Sequence, residues 1–228
     1  MADFIINRLL SIPGMILFFS FRGFFQAWVA KKLGDYLPEQ DGFLTMNPKA
    51  HINIFGFIML LIIGIGFGKP MRFDSKFYKN PKRDAAIQIL SGPAAGIIAA
   101  FAMYSVYYIL YEVIGRFTGL YSNTVFYYFS LIFFLGAQIA AFLTIFHLLP
   151  LPGFDTYRLI VNFLPYEVYR KIYVIEKYSM WIYIGFLLLI RVPVIGDFLY
   201  NYLIAYPANG LMWLITRPFA LISNLIFR

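Results

Sequence analysis

Long apolar runs dominate this chain and restrict what it can fold into. Three of them, at about 4–30, 85–114 and 124–149, are each longer than the roughly 20 residues that a helix needs to cross a bilayer. Backbone groups inside a bilayer must be hydrogen-bonded within the segment, so these runs predict transmembrane α-helices. Shorter apolar runs lie at 52–67, 178–190, 198–205 and 211–227. The last three are too short to count as one span each, so we predict about six spans in all. We therefore expect an all-α integral membrane protein with a single polytopic domain over residues 1–228.

The composition agrees with a membrane protein. Hydrophobic residues make up 61% of the 228 residues and charged residues only 13%, too few to cover the surface of a soluble protein of this size. The absence of cysteine excludes disulfides and thiolate metal sites. No small-residue cleavage site follows the first apolar run, so we expect that run to be retained as the first span.

The basic residues predict the orientation. The formal net charge is +8, and Lys and Arg concentrate in the loop 69–84 and the segment 155–177, whereas the loop 116–123 holds one Arg. The positive-inside rule assigns both basic segments to the cytoplasmic face of the membrane. Two further spans, counted backwards, place the N-terminus on that face too. We expect these loops to contact anionic lipid headgroups, and we expect no nucleic-acid partner.

Three local patterns differ from the surrounding apolar sequence. The first is RGFFQAWVAKKLGD at 22–35, followed by GFLTMNPKAHI at 42–52. The second combines GFGKP at 66–70, NPKRD at 80–84 and SGPAAG at 91–96, and the third is HLLPLPGFD at 147–155. In order and spacing they resemble the site-2 protease family of membrane-embedded zinc metalloproteases. The resemblance covers a core of about 21–158, and the apolar helices at 178–228 match only as membrane sequence.

The resemblance implies a particular site. In this family an intramembrane HExxH motif places two His on one helix face to hold zinc, and its Glu acts as general base on the zinc-bound water. A later Asp is the third protein ligand. Zinc serves because it lowers the pKa of bound water to about 7.

This sequence departs from the family at the catalytic positions. Arg22 stands at the first His, Gly23 at the Glu and Gln26 at the second His, while Asp155 matches the third ligand. A guanidinium repels a cation, glycine supplies no base, and an amide oxygen is a weak ligand. We therefore expect a family member that lacks HExxH, with no catalytic residue and no zinc cofactor.

The same alignment predicts an ion pair. The family's ligands converge on one metal ion, so Arg22 and Asp155 are expected to lie a few ångströms apart. A buried charge inside a membrane normally has a partner, and the guanidinium would then replace the metal as the positive charge between the spans. The alternative is that Arg22 reaches the interface or lines a water-filled cleft.

The two histidines allow a second interpretation. Together with Asp155, His51 and His147 could in principle form a rebuilt zinc site. Neither occupies a metal-ligand position in the family, and no Glu stands near them as a base. The simpler interpretation is that both are hydrogen-bonded structural histidines.

The remaining motif residues have structural interpretations. Gly92 and Pro93 precede further small residues, which favour close helix approach. Pro150 and Pro152 are expected to end a helix and to hold Asp155 in an extended turn. In active relatives such regions resemble the substrate-docking surface, so they could also bind a transmembrane segment.

Several functions remain open at this level. The first is a catalytically inactive homologue that binds or regulates another membrane protein or transmembrane segment. The second is an intramembrane zinc metalloprotease with a non-standard site, and the third is a constitutive subunit of a larger membrane complex. A transporter or channel is the fourth, because Arg22 and Asp155 could mark an ion path, but the chain has no internal repeat.

Overall fold

Helices account for most of the structure, a computed structural model that describes residues 2–63 and 66–226. Within those residues no strand forms, and an isolated bridge joins Ile52 to Gly68. The all-α prediction is confirmed. The helices are α1 (Ala2–Leu33), α2 (Leu37–Gln40), α3 (Pro48–His51), α4 (Ile54–Ile63), α5 (Pro81–Tyr107), α6 (Arg116–Thr118), α7 (Thr124–His147), α8 (Asp155–Phe163), α9 (Tyr166–Lys177), α10 (Ser179–Leu189), α11 (Ile195–Tyr200) and α12 (Tyr206–Ile226).

Three helices are long and apolar enough to cross a membrane. They are Ile5–Leu33 in α1, Pro81–Thr118, where α5 continues through a π-helical segment (Tyr108–Gly115) into α6, and Thr124–His147. A fourth is possible if α9 and α10, bent by 66° at their junction, act as one broken span. The chain thus has the helices of a membrane protein, but the predicted count of about six is not confirmed. The C-terminal apolar runs are divided by bends and turns.

The three long helices form the core of the molecule. Their contact is close because small residues meet: a Cβ atom on Gly14 of α1 would overlap the Cα of Gly136 in α7. On α5, a Cβ atom at Gly96 would overlap the Thr144 hydroxyl of α7. Small residues at membrane-helix interfaces allow such approach, and van der Waals packing then stabilises the bundle.

The contacts fix the direction of each helix. Along α1, Gln26 lies beside Ile89 and Phe18 beside Gly96, so α1 and α5 are antiparallel. Helices α1 and α7 are parallel, because Gly14 meets Gly136 while Phe18 lies near His147. One end of the bundle therefore gathers the end of α1, the start of α5 and the end of α7. We call it the basic end, since the loop 69–84 and the segment 155–177 adjoin it.

The segment 52–68 corrects the predicted topology. Its helix α4 has ten residues, about 15 Å long and too short to span a bilayer. The Ile52–Gly68 bridge and a hydrogen bond of 2.7 Å from the Lys69 amide to the His51 carbonyl bring both ends of the segment together. The segment thus returns to the end where it began. The N-terminus lies at the opposite end of the bundle from the loop 69–84, and the prediction of a shared side is wrong.

The end of α1 is tied to that loop by a buried carboxylate. One oxygen of Asp35 accepts the Leu37 amide and the other accepts the Asp74 amide, both at 2.9 Å. Gly34 has φ +110° and lies against the Phe77 carbonyl, where a side chain would be strained. The Gly-Asp pair at the end of the first motif is therefore a structural junction.

The C-terminal third wraps around the long helices. Residues 178–226 form α10, α11, a π-helical segment (Asn201–Ala205) and α12, and residues 227–228 of the predicted apolar region lie outside the described residues. The 21 residues of α12 include Asn209, Arg217 and Asn224, which make it less apolar than the three long helices. Ile215 of α12 reaches the main core, so this helix belongs to the same packed unit.

Candidate functional site

An ion pair occupies the centre of the site. The Arg22 NH2 nitrogen, on α1, donates to both carboxylate oxygens of Asp155 at 2.7 and 2.6 Å. The side chains are 15% and 3% exposed, so the pair is largely removed from solvent. The guanidinium covers the two oxygens that a metal ion would need.

The turn before Asp155 positions its carboxylate. Helix α7 ends at His147, and Pro150 and Pro152 lie in the turn that follows, where Gly153 has φ +89°. Asp155 is the first residue of α8. It is therefore helical, and the predicted extended turn ends one residue earlier, at Phe154.

The position aligned with the catalytic Glu has no room for a side chain. The His51 ring packs on Gly23 so closely that a Cβ atom there would overlap its Nδ1. His51 Nε2 lies 2.6 Å from the Thr45 carbonyl. A carbonyl can only accept, so Nε2 carries the proton and Nδ1 is left without a partner. Burial lowers the pKa of His51, which favours the neutral ring.

Gly92 and Pro93 accommodate the replacement side chains. Pro93 has no N–H, so the Ile89 carbonyl lacks its helical donor, and the Gln26 amide donates to it at 3.4 Å. A Cβ atom at Gly92 would overlap the Gln26 amide nitrogen and lie 3.1 Å from the Arg22 NH2 nitrogen. This part of α5 is therefore shaped around Arg22 and Gln26.

His147 belongs to an aromatic cluster. Its Nδ1 lies 2.7 Å from the Leu143 carbonyl, one turn back in α7, and carries the proton in that contact. The ring stacks on Phe154 with centroids 5.3 Å apart and also meets Phe18 and Phe19. Its geometry is that of a structural histidine at a helix end.

The residues present do not fit a zinc ion. Across the described part of the chain, no three His, Asp or Glu side chains converge on a possible metal position. The Asp155 oxygens are covered by Arg22, and neither His51 nor His147 belongs to such a converging group. The arrangement therefore supports no chemical step that runs through a metal.

A cavity of about 310 Å³ surrounds the pair. Asp155 is the one acidic residue among the side chains lining it, against the cations Arg22, Lys69 and Arg158. Arg158 lies over the Phe73 ring at 4.5 Å. The cavity therefore carries an excess of positive charge. Lys69 and Arg158 were missed by the sequence reasoning, although Arg158 follows Asp155 by three residues and so shares its helix face.

Comparison with known proteins gives the family. Over 179 residues, 78% of each chain, this sequence is 30% identical to a Bacillus subtilis (strain 168) protein named "Putative zinc metalloprotease YwhC". The chain belongs to the family of that zinc metalloprotease. Membership in the zinc metalloprotease family is consistent with the site-2 protease resemblance of the three motifs. No family model matches the chain, and no solved structure matches it either.

A second cavity lies away from the positions aligned with the zinc metalloprotease motif. It measures about 760 Å³ and opens between the first half of α1, α7 and the C-terminal helices. Its polar lining includes Asn7, Gln138, Asp197 and Asn209. None of these matches a residue of the motif, so the smaller cavity is the candidate functional site.

Proposed function

We propose that this chain is a catalytically inactive member of the zinc metalloprotease family that acts by binding in a bacterial cytoplasmic membrane. Its partner would be another membrane protein or a transmembrane segment, with lipids around it. The observation that carries the proposal is the Arg22–Asp155 pair, because a fixed positive charge occupies the position where the family resemblance expects the metal. The basic loops would face the cytoplasm. The N-terminus, at the other end of the bundle, would then face the outer side of the membrane.

Two further features support inactivity. The general base is absent at Gly23, and the His51 ring blocks the space in which a base side chain would stand. Asp155 is the one carboxylate lining the cavity, and Arg22 covers it. A metalloprotease needs both a metal-bound water and a base in reach of it, and no carboxylate here is free to serve as that base.

Zinc content tests the proposal first. We would purify the protein in mild detergent and measure zinc by plasma mass spectrometry, with Asp155→Ala as the matched variant. We expect far less than one zinc per chain in both. About one zinc per chain in the natural protein, lost in the variant, would favour the alternative of an active protease with a non-standard site.

Binding needs a separate test. A photo-crosslinking residue at Met180, which lines the cavity, is compared with one at Leu225 on the outer face of α12. We expect a discrete crosslinked band from position 180 and none of the same size from position 225. A partner that also co-purifies at fixed stoichiometry would identify a constitutive subunit, whereas a substoichiometric partner indicates regulated binding.

A further inference from the structure

The cavity at the basic end has more donors than its own residues satisfy. Both hydrogen bonds to Asp155 come from a single nitrogen of Arg22, and the buried Nε has no partner in the described structure. The Tyr183 hydroxyl lines the same cavity, is 6% exposed and also lacks a partner. Buried donors are normally hydrogen-bonded, so these two point to a ligand or water that accepts from them.

The start of α8 adds backbone donors. This helix has nine residues, and no side chain caps its first amides. The Arg158 amide makes the first helical bond, 3.0 Å to the Phe154 carbonyl. The amides of Asp155, Thr156 and Tyr157 come before it and have no helical acceptor. Such a helix start, with its partial positive charge, favours an anion.

The charges of the cavity also favour an anion. Arg158 makes no ion pair within 4.0 Å among the described residues, and the Lys69 ammonium donates to the neutral Lys49 carbonyl at 2.6 Å. Among the side chains lining the cavity, Asp155 therefore offsets one of three positive charges, and Glu176 acts on Arg158 from outside the lining. An additional anion would restore balance without displacing the carboxylate from Arg22.

We propose that this cavity binds a phosphate group, carried by an anionic lipid headgroup or by free phosphate. Phosphate presents several acceptor oxygens, which suit Arg22 Nε, Arg158, Lys69 and the hydroxyl of Tyr183. The volume of about 310 Å³ is that of a small ligand site and accommodates a headgroup. This inference rests on the proposed function, in which no zinc ion occupies the site.

Binding is measured on the detergent-purified protein by calorimetry, with three probes. They are inorganic phosphate, dihexanoyl phosphatidylglycerol, and dihexanoylglycerol as the phosphate-free control. We expect one saturable site for at least one phosphate probe and none for dihexanoylglycerol. Arg158→Gln should weaken phosphate binding roughly tenfold or more, because the substitution removes a charge-assisted donor. Arg170→Gln, the same change on an exposed arginine of α9, should leave it within about twofold.

The probes separate the two sources of phosphate. Saturation by inorganic phosphate supports free phosphate, and saturation by phosphatidylglycerol alone supports a lipid headgroup. If Arg158→Gln does not purify as a folded protein, Lys69→Gln on the exposed Lys69 gives the same test. Absence of saturable binding, or equal losses in the Arg158 and Arg170 variants, overturns the proposal. Zinc content in the same samples distinguishes this failure from failure of the proposed function.

Discussion

The guanidinium of Arg22 joins two elements that are 133 residues apart in sequence. A positive charge with directional N–H donors can bridge helices as a metal ion would, but it offers no open position for water. Pairing in a poorly solvated bundle offsets the cost of burying each charge, so neither partner is expected to tolerate removal of the other. Arg22 therefore contributes to the fold by joining α1 to α8.

Replacement of Asp155 by Ala should destabilise the protein. The change leaves Arg22 partly buried without a counter-charge, which costs on the order of 3 kcal/mol. Thermal unfolding in detergent measures it. Asp41→Ala, which breaks an exposed pair with Arg72, is the control and should shift the midpoint far less. The double variant Arg22→Met with Asp155→Ala should recover part of the loss. A double loss equal to the sum of the losses in Arg22→Met and Asp155→Ala would contradict the pairing.

A side chain at position 23 should be accommodated only if His51 is shortened. Gly23→Ala places a methyl group on the His51 ring and is expected to lower the unfolding midpoint. His51→Ala removes the ring, so the double variant should be more stable than the sum of the two single changes predicts. Strict additivity in this double-mutant cycle would show that the two positions do not touch.

The long helices owe their arrangement to small residues. Gly14 and Gly136 let α1 and α7 meet at backbone distance, and Gly96 does the same for α5 against Thr144. At the basic end, Pro93 frees a carbonyl that Gln26 then uses, so a break in one helix is satisfied by another. These contacts position Arg22 and Gln26 against α5 and bring α8 within reach of α1.

Gly14→Ala should separate α1 from α7 and weaken the bundle. The added methyl group overlaps the Gly136 backbone, which cannot move aside as a flexible side chain can. Gly210→Ala in α12 is the matched control, because nothing lies within 4 Å of its Cβ position. The control should be neutral or slightly stabilising, since alanine favours helix over glycine. Equal midpoints for the two variants in detergent unfolding would argue against this helix contact.

The molecule as a whole has two unlike ends. The basic end holds the loop 69–84, the segment 155–177, the ion pair and the cavity, whereas the other end holds the N-terminus and the loop 116–123. The returning segment 52–68 causes this asymmetry, because it adds apolar sequence without adding a crossing. The candidate site therefore lies at one end of the helix bundle.

Cysteine labelling in intact cells tests this topology. The chain has no cysteine, so single cysteines can be placed at Lys79, at Ser122 and ahead of the first residue. A membrane-impermeant maleimide should label the last two directly and reach position 79 only after permeabilisation. Equal labelling of the N-terminal cysteine and position 79 under both conditions would restore the predicted two-span reading of residues 4–67.

The sequence by itself determined the helical membrane class, because that class depends on local composition, and it contains no HExxH string. The sequence also predicted an ion pair between Arg22 and Asp155. The predicted count of about six crossings is not confirmed, since apolarity does not reveal that 52–68 returns to its starting end. Only tertiary structure decided that His51 fills the space beside Gly23, that Asp155 begins a helix, and that Lys69 and Arg158 face the same cavity. Those outcomes depend on which helices meet, and the hydropathy of the sequence does not reveal that packing.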